Sequence, residues 1–169
     1  MNKFSRDWKV ASLDIRANSQ AHHNILLGDT SIKLQDRIPK IYTDVESFSK
    51  NYDSIFCVAG GWSGGSIEDP KIFSQLEHMH QIHVVPSFLS MMNFFEKRIK
   101  RFFLAAHLAS KYLNPAGLLL FTGAATPFRQ PAPFMLAYSV AKTAVHALAM
   151  NLAESDEFPA DTTIATILP

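Results

Sequence analysis

Cysteine is nearly absent from this sequence. Cys57 stands alone, so no intrachain disulfide framework can form, and a lone thiol suits a reducing compartment. Charge is sparse, at 18% of residues, and the two signs almost cancel to +1. That balance gives no general argument for nucleic acid or a membrane surface as partner. No apolar run reaches the roughly 18 residues that a membrane-spanning helix needs. The start, Met1-Asn2-Lys3-Phe4-Ser5-Arg6-Asp7, is polar and shows no signal peptide, so the expected location is the cytoplasm. Internal repeats and low-complexity tracts are missing too. What remains is an ordinary globular composition, 47% apolar over 169 residues, long enough for one domain with a sizeable core.

The stretch that organises the rest is Tyr138-Ser139-Val140-Ala141-Lys142. Ala137, Val140, Ala141, Ala144, Val145, Leu148, Ala149 and Leu152 recur with a helical period, and Pro131 and Pro133 stand just before them. Tyr138 and Lys142 then share one face, roughly 6 Å apart at Cβ. An ammonium held beside a phenol favours the phenolate, so the hydroxyl is expected to give up a proton below its usual value of about 10. That would make Tyr138 a usable general acid. By itself, Tyr-x-x-x-Lys also fits a plain helix with a polar face.

Upstream, Trp8 to Asp14 reads as a short strand ending in a carboxylate. In dinucleotide-binding α/β folds an acid there binds the adenosine ribose, although an isolated Asp at a strand end also serves as a turn residue. Ile25-Leu26-Leu27 reads as another short strand, closed by Gly28-Asp29-Thr30, and Ile38 to Tyr52 as a helix with Pro39 near its start. Ser54 to Ala59 is a continuous apolar run of the kind buried on both faces of a parallel sheet. It stops at Gly60-Gly61-Trp62-Ser63-Gly64-Gly65, where glycines at a strand's C-terminal end let backbone approach a ligand. A flexible turn is the plain alternative, and Trp62 is a costly residue to expose in one.

From Ile72 to Leu113 a mostly helical stretch is expected, followed by a buried strand at Gly117 to Gly123, a loop, the Tyr138 helix and a last strand at Thr162 to Leu168. Strands alternating with helices give a parallel, doubly wound α/β sheet. His78, His80 and His83 do not share one helical face and have no acid or thiol partner placed nearby, so no metal site is read from them. Between Met91 and Phe103, Phe94, Phe95, Ile99, Phe102 and Phe103 are interleaved with Lys97, Arg98, Lys100 and Arg101. This fits an amphipathic surface helix or an insertion, and also a basic segment for a membrane surface or partner groove.

Taken together, Trp8 to Asp14, Cys57 to Gly65, His107 to Leu113, Gly117-Leu118-Leu119 and Tyr138 to Lys142 with Ala144-Val145-His146 resemble the short-chain dehydrogenase/reductase family. Within it, the run Cys57 to Gly65 resembles the pteridine reductases. The resemblance implies a Rossmann-like doubly wound sheet and reduction of quinonoid dihydropteridine by NADH, which regenerates tetrahydrobiopterin for aromatic amino-acid hydroxylases. It implies Tyr138 as proton donor and Lys142 as the residue that holds the nicotinamide ribose. Asp14 would bind the adenosine ribose and favour NADH over NADPH, because a 2′-phosphate would meet a carboxylate. Ala59, Gly60 and Gly61 would line the cofactor, and Trp62 would border the pteridine. A homodimer is implied through the helices around 106–113 and 134–154. The broad family has a serine at the position of Ala125; the pteridine reductases lack it.

By the same resemblance, the chain starts after the family's first strand and its Gly-x-x-Gly-x-x-Gly loop, and stops before a last strand. It carries roughly fifteen extra residues around Met91 to Ala105, about four helical turns. Joining Ser90 to Ala106 restores the family's Ser-Ala-His-Leu-Ala-Ser. The first strand is central in the family, so its loss would leave strand edges open near Val10 and Ile55, and such a chain is expected to fold and bind NADH poorly. A second reading is therefore a catalytically inactive module that binds or dimerises. A third is a membrane-surface protein built on Met91 to Phe103.

Overall fold

The computed structural model describes residues 7–28, 32, 34–83, 101–129 and 131–169, with side chains at 80–83, 101 and 127 not among those described. The segment Phe94 to Lys100, the polar start before Asp7, and the side chains of His80 and His83 thus lie outside the described residues. The chain forms two compact units, one ending at Lys50 and one beginning at Asn51.

In the first unit, β1 (Ala11–Asp14) pairs in parallel with β2 (His23–Leu26), Ala11 opposite His23 and Asp14 opposite Leu26. Their connection is short for parallel strands, and side chains hold it closed. Asn24 Oδ1 accepts from Asn18 N at 2.7 Å, Asn24 Nδ2 donates to Asn18 O at 3.1 Å, and His22 Nδ1 accepts from Val10 N at 3.1 Å. Gly28 follows β2 at φ +68°, a left-handed turn that glycine adopts without strain. Helix α1 (Leu34–Phe48) begins one turn before Pro39, earlier than the sequence pattern suggests, so the proline lies inside the helix. Ile25, Leu27, Leu34, Ile41 and Val45 are buried and form this unit's apolar interior.

In the second unit, β3 (Tyr52–Cys57), β4 (Leu113–Thr122) and β5 (Thr163–Ile167) form a parallel sheet in that order, β4 central. Three longer helices accompany it: α2 (Ile72–His83), α3 (Arg101–Tyr112) and α5 (Leu136–Ala153), with the single turn α4 (Thr126–Arg129) before the last. The alternation of β4 is plain: Leu119 and Phe121 are fully buried, while Leu118 and Leu120 are half-buried. Leu119, Phe121 and Cys57 share one core cluster with Phe102, Ala105, Ala106 and Ala109 of α3 and with Val145 and Ala149 of α5. Phe102, 1% exposed, lies tilted against Phe121 with centroids 5.7 Å apart. The end of the Phe- and Lys-rich segment therefore belongs to the core, while the next residue, Phe103, is 41% exposed on the far side of the helix.

Burial on both faces, expected for Ser54 to Ala59, is not what β3 shows. Helices pack on the face that carries Cys57, whereas Phe56 and Val58 alternate away from it and are 53% and 72% exposed. Among the described strands, β1 pairs with β2 and β3 with β4, so each has one edge without a strand partner. Parallel strands joined by helices make this an α/β, Rossmann-like fold. Among the described residues, no helix is long and apolar enough to cross a membrane.

Candidate active site

Two segments far apart in sequence meet at the start of α5. The glycine-rich stretch after β3 is bridged to the residues that open the helix: Gly65 N donates to Phe134 O at 2.7 Å, and Leu136 N to Gly65 O at 3.4 Å. Gly65 takes φ +144°, a conformation that favours glycine, and the Gln75 side-chain amide fills the space where a Cβ would stand. The bridge carries Trp62 to Met135, whose Sδ accepts from Trp62 Nε1 at 3.2 Å. Trp62 keeps 64% of its surface exposed. Gly60 and Gly61 are exposed as well, and Ala59 is half-buried against the core cluster.

Helix α5 presents Ala137, Ala141, Lys142, Val145 and Ala149 to the interior. Ala137 and Ala141 pack with Met79 of α2, and Tyr138 and Leu76 lie against that cluster. Lys142 is only 4% exposed. Its Nζ donates to Thr122 O at the end of β4, 2.8 Å away, and lies over the Tyr138 ring, 5.7 Å from the centroid. The expected pairing of Tyr138 and Lys142 is thus present, but its electrostatic consequence is reversed. Burial pushes the Tyr138 phenol above its ordinary value. Burial likewise lowers Lys142 below its ordinary value, with Cys57 acting in the opposite sense. Desolvation disfavours the charged form of each group, and an ammonium over the ring, bonded to a carbonyl, does not offset it.

Sequence reasoning gave no role to two neighbours. His146, one turn after Lys142, has Nε2 3.3 Å from Ala124 N and 3.2 Å from Ala124 O, and its ring meets Phe128 edge-on at 4.6 Å. Lys142 and His146 therefore hold successive parts of the turn after β4. Gly123 is fitted beneath it, where a Cβ would come within 2.5 Å of His146 Nε2. The other is Met135, which no local pattern marks. His146 stands in the run Ala144-Val145-His146 that carries the resemblance, and its i, i+4 spacing from Lys142 was a further signal for a role.

Asp14 sits in the first unit, where its Oδ1 accepts from Ile15 N at 2.6 Å and Arg16 N at 3.3 Å. It caps its own turn, the plain role open to it from sequence. A carboxylate has two oxygens and several acceptor sites, so this cap does not use up its capacity for a ribose hydroxyl. Among the described residues no group of three His, Cys, Asp or Glu side chains is placed to hold a metal.

Comparison with known proteins gives a consistent picture. No protein-family model matches the chain. It is 30% identical over 166 residues, 98% of its length, to a dihydropteridine reductase from Dictyostelium discoideum, and spans 64% of that relative. Its fold is similar to a short-chain dehydrogenase/reductase variant from Serratia marcescens, with TM-score 0.67 and 19% identity over 95% of this chain and 66% of the other. A short-chain dehydrogenase family protein from Francisella tularensis gives TM-score 0.60 and 19% identity, over 95% and 58% of the two chains. A short-chain dehydrogenase from Burkholderia cenocepacia in complex with NADP gives 0.58 and 18%, over 88% and 53%. The chain is similar in sequence to a dihydropteridine reductase, over 64% of that relative's length, and shares the fold of short-chain dehydrogenases/reductases.

Proposed function

We propose that the protein reduces quinonoid dihydropteridine to the tetrahydro form with NADH, within a single dinucleotide-binding domain that acts as a cytoplasmic homodimer. The observation that carries this reading is the buried Lys142 beside Tyr138, in a chain 30% identical to a dihydropteridine reductase. An ammonium has three N–H donors, and the Thr122 carbonyl takes one of Lys142's. A ribose diol fits the remaining capacity. NADH supplies the hydride when bound. Tyr138 gives the accompanying proton from its hydroxyl to a ring nitrogen of the pteridine, so the products are NAD⁺ and the tetrahydro ring. Ala59 and the side-chain-free Gly60 and Gly61 let the cofactor lie against backbone, Asp14 takes the adenosine ribose, and Trp62 borders the pteridine. The helices around 106–113 and 134–154 form the dimer contact.

The test is NADH oxidation in a form of the protein that includes the family's Gly-x-x-Gly-x-x-Gly loop. Oxidation that depends on quinonoid dihydropteridine supports the reading; neither binding nor turnover of NADH ends it. Cofactor choice gives a separate expectation. Asp14→Ala should weaken NADH by about tenfold, the worth of a hydrogen bond to a charged group, and narrow its advantage over NADPH. Equal use of both cofactors by the parent would remove Asp14 from the site.

A further inference from the structure

An exposed tryptophan needs a reason to keep one orientation, and Trp62 has two. Its Nε1 is directed at Met135 Sδ, 3.2 Å away. On its benzene edge it lies against Gly64, where a Cβ would stand 2.9 Å from Cη2 and 3.0 Å from Cζ2. The backbone beneath is anchored as well, by the bonds between Gly65 and the Phe134–Leu136 segment. A side chain 64% exposed is therefore fixed at its polar edge by sulfur and at its far edge by a glycine that leaves the space for it.

We propose that Met135 and Gly64 are positioning residues that hold the Trp62 indole as a rigid stacking platform one helical turn before Tyr138. This rests on the pteridine-reductase reading for the identity of the ligand. Because the indole N–H is already engaged, Trp62 offers its ligand a face and not a hydrogen bond. Aromatic faces pair with flat rings in offset stacks, so the group recognised is a planar heteroaromatic ring. Polar recognition of that ring falls to other residues. Neither Met135 nor Gly64 touches the ligand in this arrangement; both act through the ring.

The experiment uses the full chain with Trp8→Phe, which leaves Trp62 as the one tryptophan of the two in the sequence. Emission, anisotropy and acrylamide quenching report on the ring, and unsubstituted pterin is the titrant. Met135→Leu keeps the volume and removes the sulfur acceptor, a swap that cores tolerate. Gly64→Ala keeps the sulfur and pushes the ring off it. Both variants should show lower anisotropy and stronger quenching of Trp62, and should bind pterin about three- to tenfold more weakly, the range of one aromatic pair. Thermal unfolding of Met135→Leu should match the parent, which a merely structural role would not predict. Unchanged Trp62 signals in both variants overturn the positioning role. Changed signals with pterin affinity intact overturn the platform. A parent chain that binds no pterin at all overturns the pteridine ligand, whatever the tryptophan signals do.

Discussion

Tyr138→Phe should lower kcat for pteridine reduction by about 10² or more, the usual share of general acid catalysis, with little change in the KM for NADH. Phenylalanine keeps the ring that packs against Leu76, Met79, Ala137 and Ala141, so the fold should be unaffected. The substitution removes the hydroxyl and with it the transferable proton. The pH profile sharpens the assignment. A general acid works while protonated, so the rate holds below its pKa and falls as pH rises through it. Burial raises the Tyr138 phenol above its ordinary 10.0. The free protein should therefore keep its donor protonated across neutral and moderately alkaline pH. A fall in kcat/KM well below pH 10 in the parent, absent from Tyr138→Phe, would show that something outside this arrangement lowers the phenol. A Tyr138→Phe protein within a few-fold of the parent would dismiss the residue as proton donor.

Much of this arrangement was legible in the sequence, because periodicity and local chemistry carry it. The helix Leu136–Ala153 follows its alanine and valine spacing, and β4 follows the run Leu118 to Phe121. Tyr138 and Lys142 at i, i+4 had to share a face on any helix. What the sequence concealed is what covers each face. Lys142 reads as part of a polar stripe, yet it is buried, with its ammonium bonded to the Thr122 carbonyl at the end of β4. Burial of Tyr138 itself reversed the expected shift of its phenol. Phe102 reads as one more apolar residue in a basic segment, yet it meets Phe121 in the core.

Long-range contacts to atoms without a sequence signature were the least legible. The sulfur of Met135 meets an indole 73 positions away, and nothing near either residue announces it. Asp14 shows the converse. Its turn-capping role follows from its own neighbours and was open from the start, whereas any ribose contact depends on a ligand that only the resemblance supplies.

Lys142→Met should move stability and cofactor binding in opposite directions. The ammonium is buried, and burial lowers its pKa, which states that the folded chain disfavours the charge. Methionine has a similar length and no charge, so it can occupy the same buried position without that cost. The Thr122 carbonyl loses a donor, but Thr122 is half-buried and water can replace it. Net stability near neutral pH should rise, by a few degrees in Tm, since 1 kcal/mol is about 2–4 °C at this size. The sign with pH follows from the depressed lysine. Between its folded value and its ordinary 10.5 the unfolded chain binds more protons, so the parent gains stability as pH rises through that window. The variant should lose this slope, and its advantage should shrink toward high pH. NADH binding should fall by about 10- to 100-fold, the worth of hydrogen bonds from a charged donor to the ribose. Calorimetry of both proteins across pH, with NADH titrated into each, checks all three. A variant less stable than the parent would show that Lys142 is retained for its bond to Thr122. Undiminished NADH affinity would show that the buried ammonium does not face the cofactor.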